Sequence, residues 1–241
     1  MSKPQPIHFD GQDVYLVGPM DALLKTLAAA HQLSPRPERM ALIIGEQGMG
    51  KTLGSRLFAG QHDDVIYIQI PPASILRPGR LLQLMEHTLD MPAGSGAAPT
   101  LFDRTLSIIS ELQRRPRMLI FDNANRIRRY EYIDLLRYIH DESGTRMAFV
   151  SIPALEHVFS QYPEFAGRCQ FKFRLRPASV DDLVAILTDF EPAAAAKIHE
   201  ITGGRMREVM VLAEHFRRNR KADPTPANIE RVARAFTMRA I

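Results

Sequence analysis

The octapeptide GEQGMGKT, Gly45 to Thr52, follows the apolar run MALIIG (40–45) directly and leads into a segment with helical spacing. A glycine, four residues and then Gly-Lys-Thr belong to one local geometry: a strand, a glycine bend and a helix start. Glycines let consecutive backbone N–H groups point inward as an anion cradle, and the following helix offers the positive end of its dipole. The chain is thereby constrained to an α/β layer architecture in which a buried strand delivers a phosphate-binding loop to one edge of a sheet. Lys51 is placed to reach the β- and γ-phosphates and Thr52 to ligate Mg2+. The backbone of Gly45, Glu46, Gln47, Gly48, Met49 and Gly50, with Lys51, Thr52 and Leu53 at the helix start, surrounds the phosphates.

The rest of the chain agrees with that constraint. Apolar runs VIYIQI (65–70), MLIFD (118–122), MAFVSI (147–152) and FKFRL (171–175) alternate with helix-length segments near 20–31, 51–60, 78–90, 101–114, 130–142 and 154–161. Continuous apolar strands separated by helices indicate a parallel sheet covered on both faces. MPAGSGAAPT (91–100) is a small-residue breaker, a surface loop rather than a linker because the alternation resumes after it. From Pro177 the pattern is helical only: SVDDLVAILTDF opens on a capping-box-like pair, Ser179 and Asp182, and three more amphipathic segments follow. The expected organisation is an α/β nucleotide-binding core over 1–177 and a small helical lid over 178–241.

Composition narrows the chemistry. A formal charge of +4 in 241 residues permits polyanion binding without requiring it. One cysteine, Cys169, excludes an intramolecular disulfide and a Cys-rich zinc site, and reads as a small core filler. The eight histidines show no metal-ligand spacing, so no metal beyond the nucleotide's Mg2+ is expected. No apolar run reaches the ~18 residues of a spanning helix, and the polar start lacks a secretory signal, so a cytoplasmic protein without membrane segments is expected. Asp122, at the end of RMLIFD, stands where a second carboxylate would hold Mg2+, directly or through water.

With both phosphate motifs and a helical lid, the chain resembles the AAA+ ATPases. It resembles most the branch that includes the transposition regulators Mu B, TnsC and IstB, alongside the ExeA-type secretion ATPases. The resemblance spans about residues 15–220 and implies further roles. MAFVSIP places Ser151 at the sensor-1 position, facing the γ-phosphate or attacking water. PEFAGRCQFKFRLRP places Arg168 as the arginine that reaches a neighbouring subunit's nucleotide. TGGRMRE is similar to the lid motif G-G-x-x-R and makes Arg207 the sensor-2 candidate, with Arg205 as the alternative.

In that family the residue after the magnesium aspartate is usually a glutamate that deprotonates water; here it is Asn123. An amide can orient water but cannot take its proton near neutral pH. Tight Mg·ATP binding with slow hydrolysis follows as an expectation, with Glu46, Glu131 or Asp134 as alternative carboxylates, and whether the chain is an effective enzyme stays open. A slow site between subunits would let ATP hold an assembly together, as a ring or a helical filament depending on closure.

The resemblance also places Arg126, Arg128 and Arg129 first, and Arg77 and Arg80 second, on loops that face a DNA channel. Binding through them would be non-specific for double-stranded DNA and steeply salt-dependent. FRRNRK (216–221) reads instead as a helix C-terminus complementing its dipole, and Tyr130, Tyr132 and Tyr138 as a helix face rather than a base-stacking set. The leading expectation is a homo-oligomeric regulator of transposition that assembles with ATP on DNA and recruits or activates a transposase. The alternatives are another DNA-handling AAA+ ATPase, such as a helicase loader or replication initiator, a secretion or signalling AAA+ module acting on protein, and, last, a non-AAA+ kinase, which the lid motif disfavours.

Overall fold

Five short strands, each rich in apolar residues, pair in parallel. They are β3 (Met40–Ile44), β4 (Val65–Gln69), β5 (Met118–Asp122), β6 (Arg146–Ser151) and β7 (Phe171–Arg174), in the spatial order β4-β5-β6-β3-β7. The computed structural model of the chain describes residues 6–16, 18–32, 40–92, 99–169, 171–219 and 223–238. Residues 93–98 of the small-residue loop and residues 220–221 of the C-terminal basic run lie outside them.

Every residue of β3 and β5 is buried, which is why these strands are apolar without alternation. Met40, Leu42 and Ile44 join Leu119, Phe121, Met147 and Phe149 in one core cluster. Most of its other members come from α3 (Pro78–Thr88), α4 (Leu101–Arg114), α5 (Tyr130–Ser143), α6 (Ala154–Ser160) and α7 (Pro163–Arg168), with further ones from β4 and the connecting segments. The intervening Ala41, Ile43, Ile120, Ala148 and Val150 are equally buried and point to the other face, where α2 (Lys51–Gly60) packs against β4, β5 and β6. Cys169 is buried in the first cluster, and burial pushes its thiol up to about 12, so it is core filler rather than nucleophile.

The chain divides into two compact units. The sheet unit holds residues 24–45 and 51–174. The other holds 1–23, 46–50 and 175–241, so it takes in the N-terminal segment and the glycine-rich loop as well as the C-terminal helices. Those helices are α8 (Val180–Ile186), α9 (Pro192–Thr202), α10 (Met206–Arg218) and α11 (Pro226–Met238), closed around Leu183, Ile198, Val209, Phe216 and Ile229. Ser179 caps α8 through a reciprocal capping box with Asp182.

Two elements were not expected from the sequence. Pro6–Phe9 (β1) and Gln12–Tyr15 (β2) form an antiparallel hairpin. Its turn, Asp10 and Gly11, has φ of 56° and 73°, the pair of positive angles that a tight two-residue hairpin needs and that Asp-Gly supplies. Tyr15, at the end of β2, packs against the helical cluster of the same unit. The second is α7, a separate short helix with Pro163 in its first turn. Helix α1 (Gly18–His31) begins two residues before its expected start.

Candidate functional site

In the sheet unit, strand ends and the first turn of α2 bring four expected side chains to the carboxyl edge of the sheet. Thr52 Oγ1 donates to Asp122 Oδ2 at 2.7 Å across 70 residues of sequence. Lys51 Nζ donates to Gly45 O at 2.6 Å, so its ammonium folds back over the end of β3. Asp122 is buried, and its Oδ1 accepts the N–H of Asn123 at 2.8 Å. Asn123 itself is left-handed, with φ 57° and ψ 34°, a conformation that asparagine tolerates better than most residues. It precedes a single 3-10 turn, Ala124–Arg126.

A residue that the sequence reading missed completes this arrangement. The hydroxyl of Tyr67 on β4 donates to Asp122 Oδ2 at 2.9 Å. Burial first, and the charge of Asp122 next, push its phenol upward, so it stays protonated and remains a donor. Strand pairing was the available signal, since Gln69 of β4 is in register with Asp122 and Tyr67 lies two residues back on the same face.

Ser151 ends β6 in register with Ile44, and its carbonyl accepts the N–H of Gly45 at 3.1 Å. Its hydroxyl is buried and has no hydrogen-bond partner among the described residues. A buried hydroxyl without a partner beside a phosphate-loop strand fits a ligand that would supply the acceptor.

In the helical unit the loop adopts the conformation its glycines were expected to allow. Gly48 and Gly50 have φ of 81° and 83°. A Cβ at Gly48 would lie 3.1 Å from Arg207 Cβ, and one at Gly50 would lie 3.2 Å from Met20 Cε, so both positions are tight as well as left-handed. Arg207 N–H donates to Gly48 O at 2.9 Å, tying the start of α10 to the loop. Arg205 is turned elsewhere: Nε donates to Thr202 O and Nη2 pairs with Glu208 at 2.9 Å. Of the two lid arginines, Arg207 is the one set on the loop. Met49 is buried in packing, whereas Glu46 and Gln47 are exposed and Leu53, in the first turn of α2, is half-buried.

The remaining expected residues are distributed differently. Arg168 makes a two-pronged pair with Asp141, Nε to Oδ1 and Nη2 to Oδ2, both 2.6 Å, and also donates to Glu164 O. Asp134, one alternative carboxylate, is paired with Arg137 on α5, while Glu131 is exposed in the first turn of α5. Arg126 is half-buried and donates to Ile70 O, so its guanidinium braces the chain after β4. Arg128 Nε donates to Asn125 O at 2.7 Å, Arg77 Nη1 to Leu76 O at 2.8 Å, and Arg80 Nη1 to Gln83 Oε1 at 3.0 Å. Arg129 is exposed at the start of α5. The segments after β4 and β5 are neighbours, joined by Arg126 and by the buried Tyr132, whose hydroxyl donates to Leu76 O at 2.9 Å. Tyr132 is therefore closed to base stacking; Tyr130 is exposed and packs near Tyr162.

No helix among the described residues is long and apolar enough to cross a membrane. No curated protein matches the chain. Its fold is similar to that of Cdc6p from Pyrobaculum aerophilum, with TM-score 0.62 and 16% identity over 85% of this chain and 63% of that one. The Aeropyrum pernix ORC2 protein, solved with ADPNP and ADP, gives TM-score 0.62 and 15% identity over 95% of this chain and 69% of that one. The Aeropyrum pernix ORC1 protein, solved in complex with DNA, gives 0.62 and 18% over 91% and 64%. At such identities the likeness is one of fold: a parallel five-stranded sheet flanked by helices, with the phosphate loop of the AAA+ proteins. The chain spans 63% to 69% of the length of these three. The pattern of the AAA domain family matches residues 35–159, more than half of the chain, and the chain belongs to that family.

Proposed function

We propose that the chain is an ATP-dependent, DNA-binding AAA+ protein that binds Mg·ATP, turns it over slowly and assembles on DNA as a regulator of transposition. The observation that carries the nucleotide reading is the meeting of Thr52 and Asp122 at 2.7 Å within the sheet unit, Thr52 being the last residue of the glycine-rich motif in sequence. Thr52 and Asp122 would hold the magnesium ion, which would supply neutralisation of phosphate charge. Lys51 would release Gly45 O and turn its ammonium to the same phosphates. The loop N–H groups would orient the phosphates, Ser151 would offer its unpartnered hydroxyl, and Tyr67 and the Asn123 N–H keep the carboxylate aimed. Asn123 offers an amide where proton acceptance is needed, which supports slow turnover.

Calorimetry with ATP, with and without magnesium, tests the first step: well-folded protein that takes up none overturns it. Steady-state turnover faster than about 10 per second would overturn slow hydrolysis. Electron microscopy with ATP and duplex DNA tests assembly, for which DNA-centred rings or filaments are expected. Arg128, Arg129, Arg77 and Arg80 are the proposed phosphate contacts; Arg126 is proposed to shape their two segments rather than to touch DNA, given its bond to Ile70 O. Arg168 would serve a neighbouring subunit by exchanging Asp141 for that subunit's nucleotide.

The transposase partner comes from the sequence resemblance. A second reading, a replication initiator or helicase loader, is favoured by the fold likeness to Cdc6p and to an ORC1 protein solved with DNA. A strand-transfer assay with a purified transposase separates the two: stimulation by the chain and ATP supports the first, and an unchanged rate favours the second.

A further inference from the structure

The amino-terminal edge of the sheet carries three side chains that the nucleotide chemistry does not use. His31 ends α1, and His62 and Asp64 occupy the turn between α2 and β4. One ligand atom from each lies within 4.8 Å of the others. His31 Nε2 is 2.8 Å from Asp64 Oδ2, and the two imidazoles are neighbours, tilted by 47° with centroids 5.0 Å apart. Phe58 lies against both rings, edge-on to His31 at 6.0 Å and tilted to His62 at 4.4 Å.

The backbone holds all three in place. His62 N–H donates to Ala59 O, Val65 N–H to His62 O, and Met118 N–H to Asp64 O, while Arg146 donates to His31 O. The His62 imidazole makes ring contacts but has no hydrogen-bond partner among the described residues, so a donor nitrogen stands half-buried beside a second imidazole and a carboxylate. His31 is 18% and Asp64 46% exposed, which leaves an entry from solution.

We propose that His31, His62 and Asp64 form a binding site for a zinc-class divalent ion, with solvent completing the coordination. Two imidazoles and one carboxylate suit zinc, whereas Mg2+ and Ca2+ prefer oxygen ligands throughout. Zinc bonds of about 2.0–2.1 Å in a tetrahedron put donor atoms roughly 3.3 Å apart. The present spacing, from 2.8 Å up to a limit of 4.8 Å, brackets that value, so rotamer adjustment closes the site without moving backbone. In the ion-free form the Nε2–H of His31 faces Asp64 Oδ2; for the ion to take that place the neutral imidazole carries its proton on Nδ1 instead, leaving Nε2 and the carboxylate as ligands.

Burial alone would push the Asp64 carboxyl upward, but the hydrogen bond and charge of His31, with smaller help from the backbone and Arg146, hold it below the usual carboxylate range. Arg146 Nη2 sits 3.5 Å from Asp64 Oδ2, where it orients the carboxylate and also takes part of its charge. The ion would fasten the end of α1 to the turn before β4, joining residues 33 positions apart, and stabilise the folded chain by linkage. None of this depends on the nucleotide reading.

The test uses the full, untagged chain stripped with chelator. Calorimetry with Zn2+ should show one ion per chain and a higher Tm, and Mg2+ should produce neither. Co2+, used as a spectroscopic stand-in, should give the visible bands of a four-coordinate site in wild type. His62→Ala and Asp64→Asn, checked for folding by circular dichroism, should weaken zinc binding about tenfold or more, while His157→Ala, on the exposed side of α6, should leave it unchanged. Absence of zinc uptake by wild type, equal affinity in wild type and His62→Ala, or a cobalt complex without visible bands would each overturn the site.

Discussion

The two edges of the sheet are built from the same strands but expose their chemistry to a reader of the sequence in opposite ways. At the carboxyl edge, Lys51 and Thr52 are adjacent in one motif, and Asp122 ends a strand whose apolar run announces it. At the amino-terminal edge, His31, His62 and Asp64 come from two separate places and share no motif. The strands are parallel and in register, so whatever follows one strand lies beside whatever follows its neighbour, about 16 Å from what precedes it. A loop whose backbone must take one shape constrains residue types over a short stretch. A cluster assembled by topology constrains only three side chains, wherever they lie.

The comparison breaks most easily at the carboxyl edge, where the expected effects are largest. Asn123→Glu should restore a proton acceptor next to Asp122 and raise steady-state ATP turnover by about 10²- to 10⁴-fold. Glutamate is less at ease than asparagine at φ 57°, so the same variant should lose about 1 kcal/mol of stability in urea unfolding. Unchanged turnover would mean that another group supplies the base. Lys51→Ala removes a charge-assisted contact and should weaken Mg·ATP binding about 10- to 100-fold by calorimetry, with Tm of the nucleotide-free chain little altered.

The same contrast explains what else the sequence made legible. All five sheet strands lie within one residue of their expected spans; β3 and β5 are buried on both faces and apolar throughout apart from Asp122, whereas the edge strands β4 and β7 are only partly buried and are marked by their β-branched and aromatic residues. The hairpin β1–β2 went unread although its Asp10-Gly11 turn is a strong local signal, because four-residue strands alternate too briefly to stand out. Tyr67 was hidden by depending on pairing: its role needs β4 and β5 aligned as they are, which no local pattern specifies. The arginines show the limit on charge. Arg126, Arg128 and Arg77 sit in basic stretches, yet each guanidinium satisfies a nearby carbonyl, and Arg168 meets Asp141 from 27 residues away. A run of positive residues reveals its charge but not its partners. The helical unit was legible through periodicity and capping, whereas its inclusion of the loop and N-terminal segment depends on tertiary contacts such as Arg207 to Gly48.

Two smaller effects separate carboxylate support from general stability. Tyr67→Phe leaves the ring and removes one of two hydroxyls on Asp122 Oδ2. A hydrogen bond to a charged group contributes about 1.5–3 kcal/mol, and because Thr52 and the Asn123 N–H remain, a loss near the low end is expected in urea unfolding. Weaker magnesium dependence of ATP binding should accompany it; a stability loss alone would make the Tyr67 hydroxyl a structural hydrogen bond without a part in holding the ion. Ser179→Ala removes the α8 cap and should cost about 1 kcal/mol with Mg·ATP affinity unaffected.

The smallest expected effect belongs to the other edge and concerns pH. Asp64 is held below the ordinary carboxylate range in the folded chain, so it binds a proton less readily there than when unfolded. Its contribution is therefore present above the unfolded value, about 3.9, and is lost as pH falls through the lower folded value. The group is half open to solvent, which screens the pair and limits the effect to a few tenths of a kcal/mol. Chelator-treated Asp64→Asn should flatten the acid limb of stability against pH below about 4 while leaving the slope above 5 as in wild type. With zinc present the two chains should diverge near neutral pH instead, because an ion then takes the place of the hydrogen bond between His31 and Asp64. A divergence confined to acid in both conditions would reduce His31 and Asp64 to an ordinary ion pair and leave only one chemically specialised edge.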